Sequence, residues 1–154
     1  MFHDDSVRLY QELLEAWNRR DADGFARLFA PDGSCVGFDG SQMNGRSQIA
    51  SELRDIFAHH QTAAYVAKVR EVRHLGDSTV LVRSVVGMVP PGATELNPKT
   101  NAVQSVAIVG RGADIKVALL HNTPAAFHGR PQAVEELTRE LIEVFRAGRI
   151  VDSE

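Results

Sequence analysis

Residues 79–89, TVLVRSVVGMV, carry apolar side chains at almost every position. Because side chains on a strand alternate between its two faces, this stretch predicts a strand with two apolar faces. One face carries Val80, Val82, Val86 and Met88, and the other carries Leu81, Val85 and Val89. An antiparallel strand usually keeps one polar face where water covers it. We therefore expect both faces to be covered, one by helices on the concave side and the other most simply by a partner subunit.

Three further stretches show the same two-residue period. They span residues 63–75, 101–109 and 115–123, are rich in β-branched residues and are bounded by glycine-containing turns or loops. In the first of them Val66, Val69 and Val72 lie three residues apart, which predicts a β-bulge. Residues 90–100, PPGATELNPKT, are rich in proline and predict a projecting loop. Together these stretches predict a curved antiparallel sheet.

Helical periods lie on both sides of these strands. Residues 5–18 and the residues from about Arg46 onward repeat apolar side chains at helical spacing. Asp21 is expected to cap a short second helix that includes Phe29 and stops before the turn-forming residues APDG. A last helix, about residues 131–147, should begin at Pro131. Helices, then a sheet, then a closing helix define an α+β class, and we expect a single domain over residues 1–154.

Composition excludes several classes of function. The formal net charge of −3 provides no basic field for nucleic acid or an anionic membrane. No apolar run approaches the roughly 20 residues that span a bilayer, and the N-terminus lacks the segments of a signal peptide. The one cysteine, Cys35, excludes an internal disulfide and fits a reducing cytosol. We therefore expect a cytoplasmic protein that binds neither nucleic acid nor membrane.

Four stretches are informative together, namely AWNRRDADGFARLFAPDG (16–33), GSQMNGRSQI (40–49), LGDSTVLVR (75–83) and HNTPAAFHGRP (121–131). They resemble the SnoaL-like families of the nuclear transport factor 2-like superfamily, and within it the SgcJ/EcaC group. The resemblance implies a cone, in which a strongly bent sheet wraps around the N-terminal helices and encloses a pocket. It also implies dimers formed through the outer face of the sheet. Because this fold hosts isomerases, cyclases, hydrolases and binding proteins, the resemblance implies no particular reaction.

The carboxylates that related enzymes use have no evident counterpart. Related ketosteroid isomerases place a catalytic aspartate on the first strand, where this sequence has Val36 or Gly37. Asp39 lies in a DG turn and is expected to be solvated. The predicted bulge leaves the facing of Glu71 open. Polyketide cyclases of the SnoaL group pair a carboxylate with a histidine, and only the histidine has a candidate here.

The predicted pocket is polar without being acidic. Ser84 and Gln104 lie on the concave side of their strands by parity, and His121 shares a face with Leu119, while Asn122 has the opposite parity. We predict that His121 points into the cone and carries the proton in any acid/base step. The alternative is that His121 and Gln104 bond each other or the backbone and only satisfy the core.

The remaining ligand-binding candidates are apolar, and no metal or cofactor site is predicted. Besides Ser84 and Gln104, the expected pocket wall consists of Trp17, Phe29, Phe57 and Met88. No histidine or cysteine spacing suggests a zinc site, and the GRG at residues 110–112 opens a strand, which does not match the dinucleotide fingerprint.

Two functions remain open for the predicted homodimer. It could hold a small apolar or polyketide-like molecule for a cofactor-independent isomerase-, cyclase- or hydrolase-type step, or it could be a non-catalytic binding or association module. An enzyme should show a perturbed histidine or carboxylate inside an accessible cavity. A binding module should show a cavity that is filled by side chains or lacks a titratable group.

Overall fold

The structure, a computed structural model, describes residues 2–153. Helices and strands are interspersed along this part of the chain. In chain order they are α1 (Phe2–Asn18), α2 (Ala22–Arg27), β1 (Phe29–Val36), β2 (Gln42–Asn44), α3 (Arg46–His59), β3 (Ala64–His74), β4 (Thr79–Val89), β5 (Ala102–Val109), β6 (Lys116–Pro124), α4 (Pro131–Arg146) and β7 (Val151–Ser153). The predicted α+β class is confirmed, and the four long strands begin and end within one residue of their predicted bounds.

The sheet is mixed, which corrects the prediction of a purely antiparallel sheet. Its seven strands have the order β2-β1-β6-β5-β4-β3-β7, and β1 pairs in parallel with β6, as β3 does with β7. Each parallel pair joins strands that are far apart in the chain, and the long intervening segments permit this direction. The central strands β3 to β6 are antiparallel, as predicted.

The region around Phe29 is also corrected. Helix α2 ends at Arg27, and Phe29 begins β1, so the APDG sequence lies inside a strand rather than ending a helix. The strand is irregular there, because its pairing with β6 shifts between Phe29 and Ser34. The guanidinium of Arg46, at the start of α3, donates to the carbonyl oxygen of Phe29 at 2.9 Å from Nε. Long-range pairing therefore overrides the local turn signal.

Helix α1 fills the concave side of the sheet. Tyr10, Leu13 and Leu14 on α1 are fully buried together with Phe25 and Phe29. The end of α1 is attached to the start of β3 by Asn18, whose side chain donates to the carbonyl of Tyr65 at 3.0 Å and accepts from its N–H at 2.8 Å. We call the apolar side chains of this concave side the inner core.

Helix α4 lies on the convex side of the sheet, which corrects the expectation that helices cover only the concave side. Leu137, Leu141 and Val144 of α4 pack on Val85 and Val89 of β4. All five of these side chains are buried. Helix α4 therefore packs on the sheet of its own subunit. Residues 90–100 return to this side and bury Leu96 in the same cluster, so this loop does not simply project.

Two β-bulges set the facing of the residues that follow them. One lies in β3 between Val69 and Glu71, as predicted. The other lies in β6, where Ala107 pairs with Leu119 but Ile108 pairs with Val117, so that Ala118 is an extra residue. An extra residue reverses the parity of the side chains beyond it.

Candidate functional site

A string of four neutral polar side chains crosses the inner core. The Tyr10 hydroxyl donates to Oε1 of Gln104 at 2.5 Å and lies 2.5 Å from Oγ of Ser84. Because the phenol has one proton, the serine hydroxyl is the donor in the second bond. Gln104 Nε2 donates to Oδ1 of Asn122 at 2.9 Å, and Asn122 Nδ2 donates to the carbonyl of Val36 at 3.1 Å. We call these four side chains the polar string.

Three neighbouring strands position the string. Ser84 on β4 pairs with Gln104 on β5, which in turn pairs with Asn122 on β6, so all three side chains point to the concave side. Tyr10 reaches them from the buried stripe of α1, and both Tyr10 and Gln104 are 0% exposed. A buried polar group without a partner costs about 1–3 kcal/mol, so the string is stable because its members bond to one another.

The titratable groups near the string remain protonated at neutral pH. Burial raises the pKa of Tyr10 well above its ordinary value, against a smaller lowering by its hydrogen bond with Ser84. Burial likewise raises the pKa of Tyr65, against a smaller lowering by a hydrogen bond with Gln104. The pKa of the Cys35 thiol rises to about 12 for the same reason, burial. These groups can therefore donate hydrogen bonds, but they are poor proton acceptors.

His121 does not enter the cone, and the predicted facing is wrong. It pairs with Ser105 on the convex side and is exposed, whereas Leu120 and Asn122 are buried. The bulge at Ala118 is the physical reason, because it reverses the facing of every later residue in β6. The proton-carrier role that was predicted for His121 inside the cone has no geometric basis.

The two carboxylates that the sequence left open also lie outside the inner core. Asp39 is exposed in its turn, and the N–H of Ser41 lowers the pKa of its carboxyl. Glu71 faces the convex side, where one oxygen lies 3.1 Å from the guanidinium of Arg83. Besides Tyr10, Tyr65 and Cys35, the buried polar side chains in the described part of the chain are Ser6, Ser84, Asn101, Gln104 and Asn122. None of them is an acid or a base.

The predicted aromatic wall forms one cluster at the ends of α1 and α3. The ring centroid of Trp17 lies 5.2 Å from that of Phe57, 5.8 Å from that of Phe25 and 5.5 Å from that of Tyr65. Trp17 and Phe57 are partly exposed, as is Met88, the cross-strand partner of Tyr65. Phe29 is fully buried behind Phe25. Five of the six predicted ligand-binding residues therefore belong to the inner core's aromatic cluster or the polar string, and Met88 adjoins them.

Sequence reasoning missed Tyr10 and Asn122 as members of the string. A tyrosine in the buried stripe of a helix was a usable signal, because a buried phenol needs a hydrogen-bond partner. For Asn122 the sequence carried no such signal. Leu119 and Leu120 are both apolar, so either one fits the concave side and the pattern does not reveal the bulge before them.

Two features are absent from the residues whose side chains the structure describes, 5–153. No three histidine, cysteine, aspartate or glutamate side chains are grouped so that they could hold a metal ion. Among the described residues, no helix has the length and apolar character needed to cross a membrane.

The bent sheet around helices is the architecture of the cystatin-like class of folds, to which similar solved structures belong. Within that class, the sequence model of the SnoaL-like domain family matches residues 10–115. The chain belongs to the SnoaL-like domain family. No match was found among curated proteins.

Solved structures share the fold at low sequence identity. A domain of unknown function with a cystatin-like fold from Nostoc punctiforme has 20% identity and a TM-score of 0.75, covering 96% of this chain and 97% of that one. A nuclear transport factor 2-like protein of unknown function from Shewanella oneidensis has 16% identity and a TM-score of 0.65, covering 80% and 99%. A putative calcium/calmodulin-dependent protein kinase type II association domain from Thiobacillus denitrificans has 14% identity and a TM-score of 0.65, covering 75% and 91%.

Proposed function

We propose that the protein binds a small, largely apolar and uncharged molecule in the cone, of polyketide-like character. One observation carries the proposal, namely the string of neutral hydrogen-bonding groups inside an otherwise apolar core. Ligand sites commonly combine apolar walls with a few convergent polar groups. The partly exposed side chains of Trp17, Phe57 and Met88 mark the end of the core through which a ligand would enter.

The charges around the string determine the kind of ligand that we propose. The buried polar side chains in the described residues are uncharged, and Tyr10, Tyr65 and Cys35 keep their protons because burial raises their pKa values. An ionic ligand would therefore lose its hydration without gaining an opposite charge, which is costly. A ketone or hydroxyl group can instead exchange hydrogen bonds with Tyr10, Ser84 and Gln104.

Binding in this place requires a rearrangement of side chains. Tyr10, Phe25 and Phe29 are 0–1% exposed and fill the inner core. The indole Nε1 of Trp17 donates a hydrogen bond to the carbonyl oxygen of Ala63 at 3.0 Å, which holds the side chain in place. A ligand would displace apolar side chains at the Trp17 end and replace one bond of the polar string.

The interior favours binding over acid/base turnover. Neither a carboxylate nor a histidine is among the buried side chains of residues 5–153. If the domain has isomerase, cyclase or hydrolase activity, we propose Tyr10 as the hydrogen-bond donor that stabilises a developing oxyanion, since burial keeps the proton on its phenol near neutral pH. His121 has no part in this proposal because it lies on the convex side.

The test uses a matched pair of bicyclic probes, 2-decalone and decalin-2-carboxylate. The chain has one tryptophan, so its fluorescence reports the Trp17 end of the core. We expect 2-decalone to change this fluorescence saturably, and the carboxylate to bind at least about tenfold more weakly. Ser84→Ala should weaken the binding of 2-decalone, whereas Ser105→Ala, its neighbour on the convex side, should not. Equal affinity for both probes, or no response to either, would contradict the proposal.

A second candidate function is association through the convex side of the sheet. Helix α4 covers Val85 and Val89, and a strip of partly exposed apolar side chains lies beside the cluster that they form with it. This convex strip consists of Leu81, Val103, Ala107 and Leu119. We propose that a second copy of the chain covers it and forms a homodimer. One similar structure is described as a putative association domain, which supports this candidate.

Two finer assignments are also proposals. The stretches 16–33, 40–49, 75–83 and 121–131 support membership of the SgcJ/EcaC group within the SnoaL-like family. The free, buried thiol of Cys35 is compatible with a cytoplasmic location, which we propose for the protein.

A further inference from the structure

We infer that the convex side carries a second ligand site, a groove that binds a small amphipathic monocarboxylate. The groove lies between α4 and residues 95–98 and has a volume of about 470 Å³. This volume lies within the range of small-molecule sites, roughly 300–1,000 Å³. The site is separate from the cone, because Leu96 belongs to the apolar cluster on the opposite side of the sheet from Tyr10.

The walls of the groove are apolar and fixed in position. Leu96 and Pro98 line one wall, and Val134 and Ile142 line the other. Leu96 packs over Gly87, where a Cβ atom would come within 2.2 Å of its side chain. Residues 95–98 are thereby held against the sheet, and the apolar part of a ligand would meet a preformed surface.

A polar contact next to the groove also fixes the distance between its walls. Asn101 Nδ2 donates to Oγ1 of Thr138 at 2.9 Å, and Thr138 Oγ1 donates to the carbonyl of Val134 at 2.8 Å. The single hydroxyl proton of Thr138 is used by Val134, so Thr138 can only accept from Asn101. This chain of bonds ties the segment that follows residues 95–98 to α4.

Two arginines on α4 supply the charge that selects a carboxylate. Arg139 and Arg146 line the groove, and neither has an ion-pair partner within the described residues. They are seven residues apart, so they lie on the same side of α4, about 10 Å apart along its axis. An unpaired guanidinium binds a carboxylate through two parallel hydrogen bonds. An apolar tail would then lie along Val134 and Ile142.

Two acidic residues at the same groove limit the ligand to one negative charge. Glu95 and Glu135 line it as well, and neither is paired in the part of the chain that the structure describes. They would repel a second carboxylate and compete for the arginines. Removing the acid of Glu95 should therefore strengthen the binding of a monocarboxylate.

The experiment uses octanoate as the probe and the backbone amide signals of ¹⁵N-labelled protein as the readout. We expect saturable shifts at Leu96, Thr138 and Ile142, with little change at the indole N–H of Trp17. Replacing both groove arginines (Arg139→Gln with Arg146→Gln) should weaken binding at least about tenfold. The matched control Arg111→Gln, in an exposed turn, should leave it unchanged. Glu95→Gln should strengthen binding by about two- to fivefold, because exposed charges interact weakly.

Three outcomes would overturn the inference. The first is the absence of octanoate-dependent shifts in the groove, and the second is equal binding of octanoate and octanol. The third is a shift of the Trp17 indole signal in place of the groove signals, which would mean that octanoate enters the cone. The cone proposal is judged separately from its own probe, since binding of 2-decalone does not involve Arg139 or Arg146.

Discussion

Gln104 connects the two halves of the polar string, and Tyr10 satisfies its acceptor side. The phenol hydroxyl bonds both Gln104 and Ser84 at 2.5 Å inside an apolar core. Without that hydroxyl, the amide oxygen of Gln104 would be buried without a partner. The string is therefore sensitive to single atoms, whereas the exposed side chain of His121 has no equivalent network in the described residues.

At this scale we predict that Tyr10→Phe lowers the free energy of unfolding by about 1–3 kcal/mol, the cost of an unmet buried polar group. His121→Ala should change it by no more than about 0.5 kcal/mol, as is usual for an exposed side chain. Urea unfolding of both variants measures the difference. A larger loss for His121→Ala than for Tyr10→Phe would contradict the facing of β6.

Side-chain facing was predictable where a strand is regular. Ser84 and Gln104 follow the parity of β4 and β5, and both lie inside as predicted. Parity failed for His121 because one extra residue, Ala118, reverses it. Leu119 and Leu120, which follow the bulge, are both apolar, so the hydrophobic pattern does not show which of them faces the concave side. Tyr10 could have been predicted from its buried helical position.

Among the elements, α4 explains why β4 is apolar on both faces. Leu137, Leu141 and Val144 cover the convex side of its second half. A triad of charges adds to this contact. Glu140 accepts a hydrogen bond from Arg70 Nη2 at 2.8 Å and lies 3.2 Å from Nζ of Lys68, both on β3.

We predict that Leu141→Ala, which removes a side chain with 0% exposure, lowers the free energy of unfolding by about 2–5 kcal/mol. Glu143→Ala, on the exposed side of the same helix, is the control and should change it by about 0.5 kcal/mol or less. Chemical denaturation gives both values. Similar effects of the two substitutions would show that α4 does not pack on the sheet.

The charges around Glu140 predict a pH dependence. Hydrogen bonds from Arg70 hold the pKa of Glu140 at about 2, below its ordinary value of 4.5. The ionised carboxylate therefore stabilises the fold above about pH 4.5, and this contribution is lost as the pH falls toward 2.

Glu140→Gln should accordingly be less stable than the wild type near pH 7, by about 1 kcal/mol or less because the pair is partly exposed. The gap should narrow as the pH falls from about 4.5 toward 2. Glu136→Gln is the control on the same helix. Unfolding curves across this pH range measure the difference in stability between Glu140→Gln and the wild type. A difference that stayed constant with pH would contradict the stabilising role of the ionised Glu140.

Helix and strand bounds were largely predictable because their apolar periods are long. Asp21 caps α2 as predicted, by accepting from the N–H of Gly24 at 2.9 Å, and α4 begins at Pro131. The failures were the first residues of β1 and the whole of β7. APDG favours a turn locally, and β7 has three residues, too few for a pattern. Both depend on pairing with strands distant in sequence.

For the whole molecule, the convex strip predicts a homodimer. Leu119 pairs with Ala107 in the middle of this strip. A stable interface buries roughly 800 Å² on each partner. We expect light scattering at micromolar concentration to give twice the mass of the 154-residue chain.

Introducing a charge into the convex strip tests whether the dimer forms through this strip or through another surface. Leu119→Glu should give a folded monomer, because it places an unpaired charge at the interface. Leu75→Glu, at a turn residue that is 54% exposed, should remain dimeric. A wild-type monomer would refute the dimer proposal, as would a Leu119→Glu protein that stays dimeric.

The most direct test of the central claim, that the cone binds an uncharged molecule through its polar string, is a crystal structure with bound 2-decalone. The account predicts the probe between the side chains of Trp17 and Phe57, with its ketone oxygen within hydrogen-bonding distance of Tyr10, Ser84 or Gln104. A probe found only in the α4 groove or on the convex strip, with the inner core unchanged, would contradict it.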